Sequence, residues 1–286
     1  MTPEKIEAFP LICEAAVWLI LGIGVTIGLI LAFQSNLKRG QQRLPALGTL
    51  QSRPFTFIHT LPVMALTGFF ALQGAFQASG GEKNITPGAL ILGSCIFAGT
   101  GLLTISLCVL MTRQRPRAVF GSTTCTWRAA IGKGFLYGLA AIPVVSLALL
   151  IVSTIGDALD FDMAPQEVFT WLRDPSVPAS ARTTLILFAV VGAPIYEELL
   201  FRGVLLPALM KNRDFIFAAL LGSFYFALIH LHGPSFLPLT LLSVLFSAGY
   251  AATGSILTPI IMHILFNATA LLQFFATATD ATASCR

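Results

Sequence analysis

Charge is what this sequence has least of. Only 10% of its 286 residues are Asp, Glu, Lys or Arg, whereas soluble domains carry nearer ~25%. With 56% of its residues hydrophobic, the chain has too little polar surface to coat a water-soluble globule, so part of its solvent is lipid. The net charge is +4 and its basic residues sit in short loops, which excludes the basic stripe that a nucleic-acid partner requires. Cysteine is scarce too. Cys13, Cys95, Cys108, Cys125 and Cys285 are odd in number and scattered, with no C-x-x-C pair; they read as small hydrophobic residues inside helices rather than as a disulfide framework. No H-E-x-x-H occurs, so the usual helical zinc-protease signature is missing, and no serine or cysteine nucleophile motif appears. Low-complexity tracts and internal repeats are absent as well. The start of the chain lacks the positive patch of a secretory signal. It opens with Glu4, Lys5 and Glu7 and continues into an apolar run of roughly 24 residues, long enough to span a bilayer; this run is expected to be retained.

What the sequence does have is long apolar runs. Segments able to cross a ~30 Å hydrocarbon core fall near 10–33, 55–77, 87–111, 132–155, 183–209, 215–231, 236–253 and 256–276. They predict an all-α fold, a polytopic membrane helix bundle of about eight transmembrane helices. The stretch from Ala164 to Arg173 is amphipathic and expected at the interface. Basic residues cluster in alternate loops: Lys38, Arg39, Arg43 and Arg53 in the first, Arg113, Arg115, Arg117 and Arg128 in the third, Lys211 and Arg213 in the fifth. The other loops and ends hold Glu4, Glu7, Glu82, Asp157, Asp160, Asp162, Glu167 and Asp174. Positive loops stay cytoplasmic, so both termini are expected to face away from the cytoplasm. The organisation expected is a four-span region with its interfacial segment over 1–180, a motif-bearing membrane domain over 181–276 and a short tail over 277–286. The expected location is the membrane, multi-pass, with the lipid bilayer as a partner.

The informative residues are the charges left inside the spans. A charge at the bilayer centre costs ~3 kcal/mol even on insertion scales. The fifth segment nevertheless reads Gly192-Ala193-Pro194-Ile195-Tyr196-Glu197-Glu198-Leu199-Leu200-Phe201-Arg202-Gly203. Glu198 and Arg202, four apart, share a helix face and can pair. Glu197 lies about 100° round the helix and can face the bundle interior. Pro194 removes a backbone donor and tends to kink the helix, an irregularity tolerated at membrane depth beside protein or a wet cavity. The sixth segment adds Phe226 and His230, followed by His232 and Pro234, and the eighth adds His263 and Asn267, again four apart. A buried carboxylate beside imidazoles suits water activation, and a second imidazole with an amide can donate hydrogen bonds to an oxyanion. Any metal would need ligands assembled from separate spans.

Three short motifs then resemble a known family. Glu197-Glu198-x-x-x-Arg202, Phe226-x-x-x-His230 and His263-x-x-x-Asn267 look like those of the CPBP intramembrane endopeptidases: the type II CAAX prenyl endopeptidases and similar bacteriocin-processing and self-immunity proteins. The resemblance covers roughly 183–272. It implies that Glu197 activates water with His230 as its partner, that His263 and Asn267 stabilise the oxyanion, and that Glu198 and Arg202 orient the site. It implies a membrane-anchored or lipidated peptide as substrate and a bacterial cytoplasmic membrane as the setting. The family has been described both as metal-dependent and as a metal-free glutamate type. A divalent metal such as zinc, with Glu197, His230 and His263 as candidate ligands, therefore stays open. Two other readings stand beside the peptidase: a non-catalytic immunity or scaffold protein on the same fold, and an ion-coupled transporter, since buried Glu and His also serve proton paths. Glu198–Arg202 could be a purely structural pair. His59 has no evident partner, and Gly99, Gly101, Ser247 and Gly249 read as helix-packing positions. One expectation is strained. A sixth helix starting near Asp214 carries His230 more than roughly 20 Å along it, whereas Glu197 sits near mid-span.

Overall fold

The computed structural model describes residues 44–79, 87–121, 124–161, 163 and 166–283. The span expected over 10–33 and the residues Lys38, Arg39 and Arg43 lie outside them. Among the described residues the regular structure is entirely helical: α1 (Leu47–Gln51), α2 (Phe57–Ser79), α3 (Pro87–Thr112), α4 (Pro116–Phe120), α5 (Trp127–Ala158), α6 (Glu167–Arg173), a continuous α7 over Ala179–Leu209, α8 (Phe215–Leu228), α9 (Gly233–Thr253) and α10 (Leu257–Ala283). The chain is thus a polytopic helical membrane protein. Among the described residues five helices are long and apolar enough to cross a bilayer: Leu92–Thr112, Trp127–Ala158, Ala179–Leu209, Gly233–Thr253 and Leu257–Ala276. The apolar part of α2 (Phe57–Gln73) and all of α8 are shorter.

Local chemistry sets the ends. Thr126 caps α5, its hydroxyl accepting from the Ala129 amide at 3.3 Å, and Asp214 caps α8 by accepting from the Phe217 amide at 2.9 Å; short polar side chains at such positions satisfy otherwise orphaned donors. Gly254, with φ of 65°, ends α9 in the left-handed conformation that glycine adopts without steric cost. Helix α8 stops at Leu228, before the end expected at 231. Leu231 turns into the left-handed region with φ of 49°, and His232 caps α9, its Nδ1 accepting from the Ser235 amide at 3.2 Å.

Packing identifies the centre. In α9, 61% of the apolar window is buried, against 22–28% in the other four long helices. Those helices turn large side chains such as Leu110, Leu136 and Leu150 outward, as lipid requires and water would not tolerate. Helix α5 lies against both α9 and α10. It approaches α10 through Gly134 and Gly138: a Cβ at Gly134 would stand 2.8 Å from Ile261 Cβ, and one at Gly138 3.0 Å from Leu265 Cδ2. This small-x-x-x-small spacing allows close backbone approach in membranes. Of the glycines expected to pack, Gly249 meets Met262 and Gly101 meets Tyr196, but Gly99 has open space around it.

The described basic loops share one end. Arg53 is buried and donates to the carbonyls of Ala118 at 2.8 Å and Gly121 at 2.6 Å. Lys211 donates to Gln51 O at 2.8 Å. Asp157, Asp160 and Asp174 belong to the opposite end, with α6. Cys95 and Cys108 lie in α3 as expected, whereas Cys125 lies in the loop before α5. His59 is buried and finds a partner, its Nδ1 accepting from the Thr56 amide at 3.0 Å.

Candidate active site

Helix α7 is built around its prolines. Two stretches are wound as π-helix, Phe188–Gly192 and Leu199–Leu205, and a six-residue α-helical segment, Ala193–Glu198, stands between them. Pro194 and Pro207 follow the two wide stretches closely. A proline cannot bond to the carbonyl four residues back and its ring collides with it; a wider turn relieves both problems, and such π turns recur at functional sites. The Glu197–Glu198 pair is therefore carried on a short α-helical platform between two irregular ones.

The two carboxylates diverge as the ~100° step predicts. Glu198 is fully buried and its Oε1 accepts from Arg202 at 2.9 Å and from His263 Nδ1 at 2.9 Å. Arg202 is also buried; it donates to Ser243 O at 2.7 Å and to Ser243 Oγ at 2.5 Å. Its guanidinium sits between the rings of Phe226 and Phe246, 5.2 and 5.3 Å from their centroids. Charge pairing, hydrogen bonds and two aromatic faces together offset the desolvation of both ions.

Glu197 turns the other way. With Glu197, the side chains of His230, His263 and Asn267 line one cavity of about 650 Å³. Glu198 and Arg202 lie behind that wall. His263 spans the two zones: Nδ1 meets Glu198, and Nε2 stands 4.0 Å from Glu197 Oε2. Its ring lies against Phe246, centroids 4.9 Å apart and planes tilted by 32°. His230 Nδ1 is 2.7 Å from Phe226 O; a carbonyl can only accept, so Nδ1 carries the proton and a neutral ring offers its Nε2 lone pair. Phe226 separates the two imidazoles, 4.7 Å from His230 and 6.1 Å from His263. Asn267 donates one amide hydrogen to Ala189 O at 2.8 Å and keeps a second.

The depth conflict dissolves. Glu197 stands twelve residues before the end of α7, and His230 just beyond the 14-residue α8. At ~1.5 Å per residue both lie roughly 20 Å from the turn joining these helices. The far wall of the cavity comes from the segment expected at the interface, including Phe169 and Leu172, from Met163 just before it, and from apolar side chains of α5. Gln166 ties that segment to α9 through Ser235 Oγ at 3.1 Å.

Sequence reasoning missed four contributors. Ser243 holds Arg202, Phe246 flanks it, Gln166 closes the wall, and the Tyr196 hydroxyl donates to Glu197 Oε1 at 3.2 Å. None has a spacing signal: Ser243, Phe246 and Tyr196 reach the site from unremarkable positions in apolar runs, and Gln166 from a connecting segment. The metal candidates Glu197, His230 and His263 share the cavity, but among the described residues no three His, Cys, Asp or Glu side chains are gathered as a metal-binding group. Glu198 Oε2, one of several buried polar atoms without a hydrogen-bond partner, belongs to a residue outside the cavity wall. As it stands, this donor set does not supply the three protein ligands of a catalytic zinc site.

Residues 179–269 match the family described as type II CAAX prenyl endopeptidase Rce1-like. A protein of Bacillus subtilis (strain 168) named "Putative membrane peptidase YdiL" is 35% identical over 83 residues, which is 29% of this chain and 34% of that protein. The chain thus covers about a third of the length of this curated relative. No solved structure matches it. The matched residues include Glu197, Glu198, Arg202, His230, His263 and Asn267, and over that stretch the chain is similar to the CPBP membrane proteases, among them the type II CAAX prenyl endopeptidases.

Proposed function

We propose that this protein is an intramembrane endopeptidase that hydrolyses a peptide bond of a membrane-associated substrate with water activated by Glu197 and His230. The observation that carries this reading is the meeting of Glu197 from α7, His230 from the turn after α8, and His263 and Asn267 from α10 around one cavity. The 4.0 Å between Glu197 Oε2 and His263 Nε2 is too long for a direct hydrogen bond. It leaves room between them for the reacting atoms, with Oε2 reaching a water and Nε2 the carbonyl oxygen that the water attacks, each at ~2.8 Å.

Glu197 Oε2 and the His230 Nε2 lone pair both accept, so a water donating to them presents its own lone pair to a substrate carbonyl. Glu197 takes the proton as the C–O bond forms. The negative charge on the carbonyl oxygen is met by the free amide hydrogen of Asn267 and by His263, which, when protonated on both nitrogens, donates from Nδ1 to Glu198 and from Nε2 into the cavity. Collapse breaks the C–N bond, Glu197 returns its proton to the leaving amine, and the carboxylate is regenerated. Glu198 and Arg202 hold His263 in place from the dry side. The apolar far wall accommodates an apolar or lipidated substrate segment, and the Bacillus relative supports a bacterial cytoplasmic membrane as the setting.

Purified protein incubated with membrane-anchored peptides, with and without a chelator, tests the proposal. Cleavage lost in Glu197→Ala and His230→Ala variants that still insert and fold is the expected result; full cleavage by either variant refutes the mechanism. Abolition of cleavage by the chelator overturns the metal-free form of this mechanism, because it requires a divalent metal that the donor set as it stands does not hold.

A further inference from the structure

A glutamate's terminal torsion is broad and nearly two-fold, so a helix alone does not decide which oxygen faces a substrate. At Glu197 an outside donor decides it. The Tyr196 hydroxyl donates to Oε1 at 3.2 Å, which leaves Oε2 toward His263 Nε2 at 4.0 Å. Adjacent helical residues do not ordinarily face each other, so this contact depends on where the tyrosine ring is held. That ring is only 5% exposed and is fixed by its surroundings. Phe97 of α3 meets it edge-on at 4.9 Å and Phe188 lies parallel at 6.3 Å. Gly101 of α3 supplies the remaining wall, and a Cβ there would stand 3.0 Å from Tyr196 Cδ2. Phe97 and Gly101 lie outside the family-matched residues.

We propose that Tyr196 is a positioning residue for the reaction, holding Glu197 Oε1 so that Oε2 is the working base, and that α3 sets this alignment through Phe97 and Gly101. The inference rests on the peptidase reading for its kinetic consequence, but the hydrogen bond stands apart from it. Tyr196→Phe keeps the ring and removes the donor. The expected result is a kcat lower by roughly ten- to hundredfold with KM unchanged and an unaltered thermal midpoint. Gly101→Ala, which pushes the ring, lowers kcat in the parent protein but adds nothing in the Tyr196→Phe background, because both act through one hydroxyl. Additive losses, a change confined to KM, or an unchanged kcat in Tyr196→Phe overturns the assignment.

A spectroscopic measurement separates the two failures. The carboxyl infrared band that Glu197→Gln removes should shift in Tyr196→Phe. An unshifted band overturns the positioning role whatever the activity. A shifted band in a protein that cleaves no peptide keeps the hydrogen bond and defeats the peptidase reading instead.

Discussion

On one side of His263 lies a dry cluster, and on the other a cavity, and the adjacent glutamates divide between them. Glu198 is enclosed by Arg202 and His263 Nδ1, which both meet its Oε1, and Arg202 is held in turn by Ser243 and by the faces of Phe226 and Phe246. Glu197 meets only Tyr196 and a distant His263 Nε2 and otherwise faces the cavity. The two residues have the same side chain and are neighbours in sequence, yet one is closed in by partners and the other is open to the cavity. The difference teaches that a buried carboxylate can be held by a counter-charge and an imidazole even with one oxygen unpartnered, as Glu198 Oε2 is, whereas one with partners withheld on its open side is a candidate for chemistry.

The comparison breaks most visibly at the open side. Glu197→Gln should lower cleavage by about 10²–10⁴-fold while leaving the detergent-solubilised protein's melting unchanged; an unfolded variant would place Glu197 with the dry cluster. Glu198→Ala should do the reverse first, destabilising by about 3–5 kcal/mol because Arg202 is left buried without its counter-charge; a denaturation midpoint equal to that of the parent protein would show that the cluster is not sealed. Gly134→Val, far from both carboxylates but on the dry side, forces α5 from α10 and should cost about 1–3 kcal/mol through overpacking, readable in the same unfolding assay. Ser243→Ala removes one of the two acceptors that Ser243 offers Arg202 and should cost about 1 kcal/mol, the smallest effect, with activity falling only as far as His263 loosens.

Much of the bundle was legible. Apolar runs marked the long helices because lipid demands continuous hydrophobic length, and the turn at 210–214 carried its own signals in Lys211, Arg213 and the capping Asp214. The 3.6-residue period separated Glu197 from Glu198 and paired Glu198 with Arg202 before any contact was seen. Other features were hidden. The early end of α8 depends on Leu231 and on the His232 cap, which compete with an apolar pattern that reads as continuous helix. The π turns around Glu197 follow from Pro194 and Pro207, whose kinking was foreseeable but whose widened form was not. Gly134 and Gly138 show their spacing in the sequence, but their partner helix does not show. His263 was expected to act on an oxyanion with Asn267; the structure gives its Nδ1 to Glu198 and brings its Nε2 toward Glu197, a division that no spacing within α10 encodes.

The sequence by itself determined a lipid-embedded helical chain with acid, imidazole and amide groups at helical spacing in its last third, because hydrophobic length and the period of a helix are local properties. Tertiary structure alone decided that Glu198 meets His263 as well as Arg202, that α3 and α5 from outside the motif region contribute to the cavity walls, and that the Tyr196 hydroxyl meets Glu197. These outcomes depend on close approach between helices distant in the chain, where a missing Cβ or a single ring sets the distance.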